Sequence, residues 1–312
     1  MPTVSSVPTS HVNPRTLTGR PRIAVRHFAG SRAFHEGLDT PVRVVHITDQ
    51  HVGHATPRAV QQMAIDLANA LDPDLVLLTG DYIGYGLGYL PEVEALLGQL
   101  RAPKFGVLGN HDHWAGASAV RAALRRAGVD VLTNATTVVE VADQRLQIVG
   151  LDDSYTGNAD IRRAVRGLDP LLPTIGLSHI PEDADALWAA GVSLVLSGHT
   201  HSGMVSLGGV HRLTMGALRG QRYIHGLYGC RAGVRAPGAV YVNAGIGASR
   251  FDLRLGDRAR REIAVFELGE QPGAFAEHHA EQRPSGRLRA EARRRFGAEA
   301  RRERRALARQ VA

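Results

Sequence analysis

The sequence predicts an α/β fold in which helices cover one mixed β-sheet or two. Three observations carry this expectation. Short β-branched, apolar runs recur from residue 42 to residue 268. In the first half they alternate with segments of helical spacing, as parallel strands joined by helices do. Later runs follow one another closely, as antiparallel pairs do. The composition agrees: 312 residues, 44% apolar and 21% charged, is an ordinary globular balance that excludes disorder over most of the chain.

Each element has a local reason. Val42 to Thr48 reads as a buried strand. Thr56 is placed to cap a helix with Pro57 at its first position. Val60, Met63, Ala64, Leu67 and Leu71 follow at helical spacing, and Asp72-Pro73 ends the helix. Leu75 to Thr79 is the next strand, Pro91 to Leu100 a helix and Lys104 to Leu108 a strand. Ala117 to Ala127 reads as a helix closed by Gly128. Thr136 to Ala142 and Arg145 to Leu151 read as a strand pair, and Thr174 to Ser178 and Val192 to Leu196 as two short strands. Ala239 to Asn243 and Glu262 to Leu268 close the body.

The flanks differ from this body. Residues 1–40 are rich in Ser, Thr, Pro and Arg, and the first acidic residue is Glu36. They lack the apolar core of a secretory signal and read as an extension that lies against the body or stays loose. Residues 41–270 form the predicted main domain, and residues 271–312 an Arg-rich tail. Within the tail, residues 277–312 hold eleven Arg against five Glu, so they carry +6 of the net +7. The high basicity therefore belongs to the tail. Its bland reading is a solvated helix, and its sharper reading a patch for an anionic membrane surface or nucleic acid. No apolar run reaches the ~18 residues of a membrane span. The single cysteine, Cys230, excludes an intramolecular disulfide and a Cys-based zinc site. The expected location is cytoplasmic, or peripheral to a membrane.

Five polar clusters sit just beyond five predicted strands. They are Asp49-Gln50-His51, Gly80-Asp81, Gly109-Asn110-His111-Asp112, His179, and Gly198-His199-Thr200-His201. Ligands of α/β sheets bind outside the carboxyl ends of strands, so the five can converge on one pocket. Such a pocket offers carboxylate, amide and imidazole donors without thiolate, a mixture suited to Mn, Fe or Zn. Seven or eight donors exceed one tetrahedral ion and suit two ions sharing a ligand. Two dications beside Asp49 and Asp81 leave net positive charge, which favours phosphate and acidifies a bound water.

This ordered set of five blocks resembles the calcineurin-like metallophosphoesterases over roughly residues 41–268. The resemblance implies a four-layer αββα sandwich with two mixed sheets and a dinuclear metal centre. Carried over, Asp49, His51, Asp81 and His201 hold one ion. Asp81, Asn110, His179 and His199 hold the other, with Asp81 bridging. His111 faces the substrate phosphate, and Asp112 orients His111. Tyr223-Ile224-His225-Gly226-Leu227-Tyr228 and Tyr241-Val242-Asn243-Ala244-Gly245-Ile246-Gly247 resemble a bacterial phosphodiesterase-type branch that includes UDP-2,3-diacylglucosamine hydrolases.

The expected reaction is hydrolysis of a phosphoester, preferably a diester, by a hydroxide bridging the two ions, with His111 donating to the leaving group. The expected substrate is a phosphorylated small molecule, or a lipid- or nucleotide-type phosphoester. No acidic residue lies between Asp185 and Asp252, and Arg219, Arg222 and Arg250 in that stretch are offered as substrate clamps. A phosphomonoesterase or a nuclease using the same centre, and a non-catalytic protein-binding scaffold, are the competing readings.

Overall fold

Along each central strand the apolar side chains divide between two cores, because successive residues face opposite sides of a sheet. In β2 (Val42–Ile47), Val42 and Val44 join one core and Val45 and Ile47 another. In β3 (Leu75–Thr79), Leu75 and Leu77 part in the same way from Val76 and Leu78. In β9 (Leu194–Ser197), Leu194 and Leu196 face the first of these cores, while Val195 faces a third. Both faces of such strands are buried, which explains their nearly unbroken apolar runs. The shared core lies between two sheets, and the other two lie under helices. The computed structural model describes residues 23–84, 86–201, 221–229, 238–248, 260–271 and 274–275.

The first sheet runs β1 (Ala24–Phe28), β12 (Glu262–Leu268), β2, β3, β4 (Lys104–Val107) and β5 (Val129–Val131). From β2 to β5 it is parallel, and β12 runs antiparallel to β2. The second sheet runs β10 (Gly226–Gly229), β11 (Ala239–Val242), β9, β8 (Thr174–Leu177), β7 (Gln144–Gly150) and β6 (Ala135–Val141), with antiparallel pairs at its two edges. A short helix, α1 (Arg32–Gly37), follows β1. Helices α2 (Arg58–Ala70), α3 (Leu90–Leu97) and α4 (Asn110–Arg126) cover the first sheet with Val60, Ala64, Val93, Leu97, Val120 and Leu124. Helices α5 (Ile161–Ala164) and α6 (Ala184–Ala189) cover the second with Ala164, Ala184 and Leu187. The expected four-layer αββα sandwich of two mixed sheets is the fold observed.

Of the two readings of the 1–40 extension, its described part lies against the body, since β1 pairs with β12 from Ala24 to Phe28. Two local expectations change. Thr56 does not cap α2; Pro57 holds the cap position, and Thr56 Oγ1 instead accepts the Ala248 N–H at 3.0 Å. A tertiary donor has taken the hydroxyl. The helix expected from Ala117 begins at Asn110, with a break at Gly116 (φ 140°) that joins two helical pieces. The Gly-Asn-His-Asp block is thus the first turn of a helix. Arg219, Arg250, Cys230 and the Arg-rich stretch 277–312 lie outside the described residues. Among the described residues no helix is long and apolar enough to cross a membrane.

Candidate metal centre

The parallel strands bring the polar clusters to one place. Asp49 and His51 follow β2, Asp81 follows β3, and Asn110 opens α4 after β4. From the other sheet His179 follows β8, and His199 and His201 follow β9. All seven predicted ligands meet. His51 Nε2 lies 3.0 Å from His201 Nε2, 3.4 Å from Asp81 Oδ2 and 3.8 Å from Asp49 Oδ1. His201 Nε2 lies 3.4 Å from Asp49 Oδ1. On the other side of Asp81, His179 Nε2 is 3.3 Å from Asp81 Oδ2 and 3.2 Å from Asn110 Oδ1. His199 Nδ1 is 2.9 Å from Asn110 Oδ1. Asp49, His51, Asp81, Asn110 and His179 are buried, whereas His199 and His201 reach solvent in part.

The backbone is bent to make this possible. Nine non-glycine residues among those described adopt positive φ, and five belong to this cluster: Asp49, His51, Asp81, His199 and His201. Left-handed backbone at bulky residues is costly and concentrates at functional sites. Two glycines permit the close approach of neighbouring loops. A methyl at Gly109 would overlap Asp81 Oδ1, and one at Gly198 would overlap Asp49 Oδ2 and Thr48 Oγ1.

The donor set fits cations. A carbonyl can only accept, so His179 Nδ1 carries the proton it gives to Thr79 O at 2.7 Å. In the neutral ring, Nε2 then points a lone pair at two further acceptors, Asp81 Oδ2 and Asn110 Oδ1. Lone pairs so arranged attract a positive charge to the space between them. Burial opposes a charged His179, yet the Asp81 carboxylate raises it to about 10. Burial likewise works against ionised Asp49 and Asp81, but the imidazoles, His201 for Asp49 and His179 for Asp81, hold both well below the carboxylate range. The pocket is built for positive charge between these groups. Asp49, His51 and His201 form one tight group, Asp49, Asp81 and His179 a second, and His51, Asp81 and His111 a third.

His111 and Asp112 each have backbone partners. His111 Nδ1 donates to Gly84 O at 3.1 Å, so the Gly84 carbonyl orients the ring. The Asp112 carboxylate accepts the backbone N–H groups of Gly109, Asp81, Tyr82 and Ile83 at 2.8–3.3 Å. It ties the loop after β3 to the start of α4. Burial and the nearby Asp81 raise Asp112 to about 7, against the pull of these donors. Burial lowers His111 to about 4, with Asp81 opposing. Arg222, offered as a substrate clamp, pairs with Asp185 and lies over the Tyr223 ring at 5.2 Å. Its charge is met by a carboxylate of its own fold.

Sequence reasoning missed several supporting groups. Thr79, read only as the end of a strand, takes His179 on its carbonyl and His46 Nε2 on its hydroxyl at 2.8 Å. Thr48 Oγ1 donates to Asp49 Oδ2 at 2.8 Å. A polar residue closing each apolar run was the available signal. Gly84 O had none, because a carbonyl has no sequence signature.

Two adjoining cages of oxygen and nitrogen donors, at the carboxyl ends of a two-sheet sandwich, define a metal-dependent hydrolase of the dinuclear kind. Residues 42–203, more than half of the chain, match the profile of the calcineurin-like phosphoesterases, and the chain belongs to that family. It is a metal-dependent phosphoesterase. It is 33% identical over 232 residues to the metallophosphoesterase YkuE of Bacillus subtilis, covering 72% of this chain and 78% of that one. It is 28% identical over 245 residues to the phosphodiesterase YaeI of Escherichia coli, covering 76% and 85%. The UDP-2,3-diacylglucosamine pyrophosphatase LpxG of Chlamydia trachomatis is 28% identical over 214 residues, covering 53% and 65%.

Proposed function

We propose that this chain hydrolyses phosphodiesters of small molecules, of the nucleotide or lipid type, with two ions of Mn, Fe or Zn. The observation that carries the reading is the pair of donor groups meeting on either side of Asp81. Asp49, His51, Asp81 and His201 would hold one ion, and Asp81, Asn110, His179 and His199 the other. When bound, the ions supply an acidified water as nucleophile and neutralise charge on the phosphate oxygens. Asp81 is fixed for a bridging role by the His111 N–H, which donates to its Oδ1 at 2.9 Å. His111, its ring held through Nδ1 by the Gly84 carbonyl, would face the substrate phosphate. Asp112 acts as a positioning residue for the loops that carry Asp81 and Asn110. The similarity to the phosphodiesterase YaeI supports the diester preference.

The test is metal analysis with a substrate pair. Mn²⁺-loaded protein should hold about two ions per chain and turn over a bis-aryl phosphate faster than an aryl phosphate. Asp81→Asn should lose metal and turnover together. A faster monoester overturns the diester preference, and full metal and turnover in Asp81→Asn overturns the bridging role.

A further inference from the structure

From the donor cluster outward, four aromatic rings follow one another. His111 lies 5.1 Å from Trp114, Trp114 lies 6.0 Å from Tyr155, and Tyr155 lies 5.2 Å from His199, centroid to centroid. The series begins and ends on two imidazoles of the centre that reach solvent in part. Trp114 and Tyr155 are themselves half-buried, so each leaves surface uncovered. Their planes meet at 60°. Rings in contact at that angle cannot sandwich a third ring between them. They form a corner, in which a flat group can stack on one face while its edge meets the other.

The corner is built from both halves of the sandwich and is fastened. Trp114 stands on the first piece of α4, beside the first sheet, and Tyr155 on the turn after β7 of the second. Next to Trp114, His113 Nε2 donates to Asp152 Oδ1 at 2.7 Å, and its Nδ1 accepts from Asn158 Nδ2 at 3.2 Å. Asn134 Oδ1 accepts the N–H groups of Asp152 and Asp160, and its Nδ2 donates to Asn158 O. Asp153 Oδ2 accepts the Thr156 N–H at 2.7 Å. The turn carrying Tyr155 is thus bonded along its length and clasped to the turn carrying Trp114. Two aromatic side chains held this firmly at the exposed side of a reaction centre bind with little ordering entropy left to lose.

The geometry points to Trp114 and Tyr155 as the residues that select the substrate, through a nucleobase on the arm that stays with the phosphate. The inference rests on the phosphodiester reading and names the substrate class within it. A diester has two organic arms, and one of them would lie in the corner while the phosphate meets the centre. Stacking on aromatic side chains is worth about 1–3 kcal/mol per base and tolerates any base, because every base has a π-face.

The experiment uses two diesters with one leaving group: thymidine 5′-(p-nitrophenyl) phosphate and methyl p-nitrophenyl phosphate. Mn²⁺-loaded wild type should prefer the thymidine ester in kcat/KM. Trp114→Leu and Tyr155→Leu should each lower that preference by ~5–150-fold, the rate equivalent of the stacking energy. Trp114→Phe should retain most of it, which a merely structural role would not predict if Leu fills the same space. A second readout needs no turnover. The chain has two tryptophans, so the change in emission on adding thymidine 5′-monophosphate is assigned by its loss in Trp114→Phe. Methyl phosphate should leave the emission unaltered. Equal use of the two esters by wild type, or a preference that survives both Leu variants, overturns the inference while the phosphodiester reading stands. No turnover of either ester sinks the phosphodiester reading and the inference with it.

Discussion

Glu262 is wholly buried, and its carboxylate is where four strands are joined. Arg26 of β1 pairs with it, His225 Nε2 lies 3.0 Å from both its oxygens, the Tyr241 hydroxyl donates at 2.8 Å, and the Ala244 N–H donates at 3.0 Å. His225 leads into β10 and Tyr241 lies in β11, so one side chain couples the edge of the first sheet to the edge of the second. The link extends to the centre. Ala244 begins the turn in which Ile246 N–H bonds Thr48 O and Gly247 N–H bonds Asp49 O, at 3.1 and 2.6 Å. Glu262→Gln keeps the shape and removes the charge against which Arg26 is buried. Breaking a buried pair on one side costs about 3–5 kcal/mol. For a domain of this size that lowers Tm by roughly 6–20 °C. Burial disfavours the ionised carboxylate, but His225 and Arg26 hold it well below its ordinary value near 4.5. Its stabilisation is therefore complete above that ordinary value and is lost as pH falls towards the folded-state value. Thermal unfolding of both proteins from pH 8 to pH 3 should show a gap that is widest near neutrality and narrows below pH 4.5. A fall in Tm of under ~2 °C at pH 7 would refute the reasoning, since a net-neutral contribution would mean that the pair only offsets its own desolvation.

Two further outcomes follow from other residues. Gly198→Ala should displace Asp49, with which its methyl would overlap, and lower metal content and turnover, since a displacement near 1 Å can cost about 100-fold. Gly88→Ala, whose methyl meets nothing within 4 Å, is the control for metal analysis. His46 is buried between the sheets, and burial lowers it from 6.5 to about 3 against the pull of Glu262. The unfolded chain then binds the extra proton between those values, so stability falls as pH drops from 6.5. Urea unfolding of His46→Gln should show a flatter dependence than wild type between pH 6.5 and 4.5, and equal slopes would exclude His46 as the source.

Most strands were legible because they are buried on both faces and so read as apolar runs. Glu262 to Leu268 matches β12 residue for residue, and the five polar clusters follow strands as expected. The strands that escaped notice were short or at edges. Val129–Val131 has an aspartate in its middle, Gly226–Gly229 is half glycine, and Ala24–Phe28 carries Arg26 and His27. Such strands lack the apolar run because one side faces solvent or a buried charge supplies the contact. The seven clustered donors were readable because only a few residue types supply the oxygen and nitrogen atoms that a metal ion takes.

From its sequence alone the chain determined the α/β class, the family and the identity of the donors, since local hydrophobic patterning and donor chemistry are properties of single residues in order. Tertiary structure alone decided how the donors are aimed. It set His111 on a backbone carbonyl and gave Asp112 four N–H groups to hold. It paired Arg222 with Asp185 and brought Trp114 against Tyr155. These are contacts between residues distant along the chain, made by geometry and hydrogen-bond direction, and neither is written in any one segment.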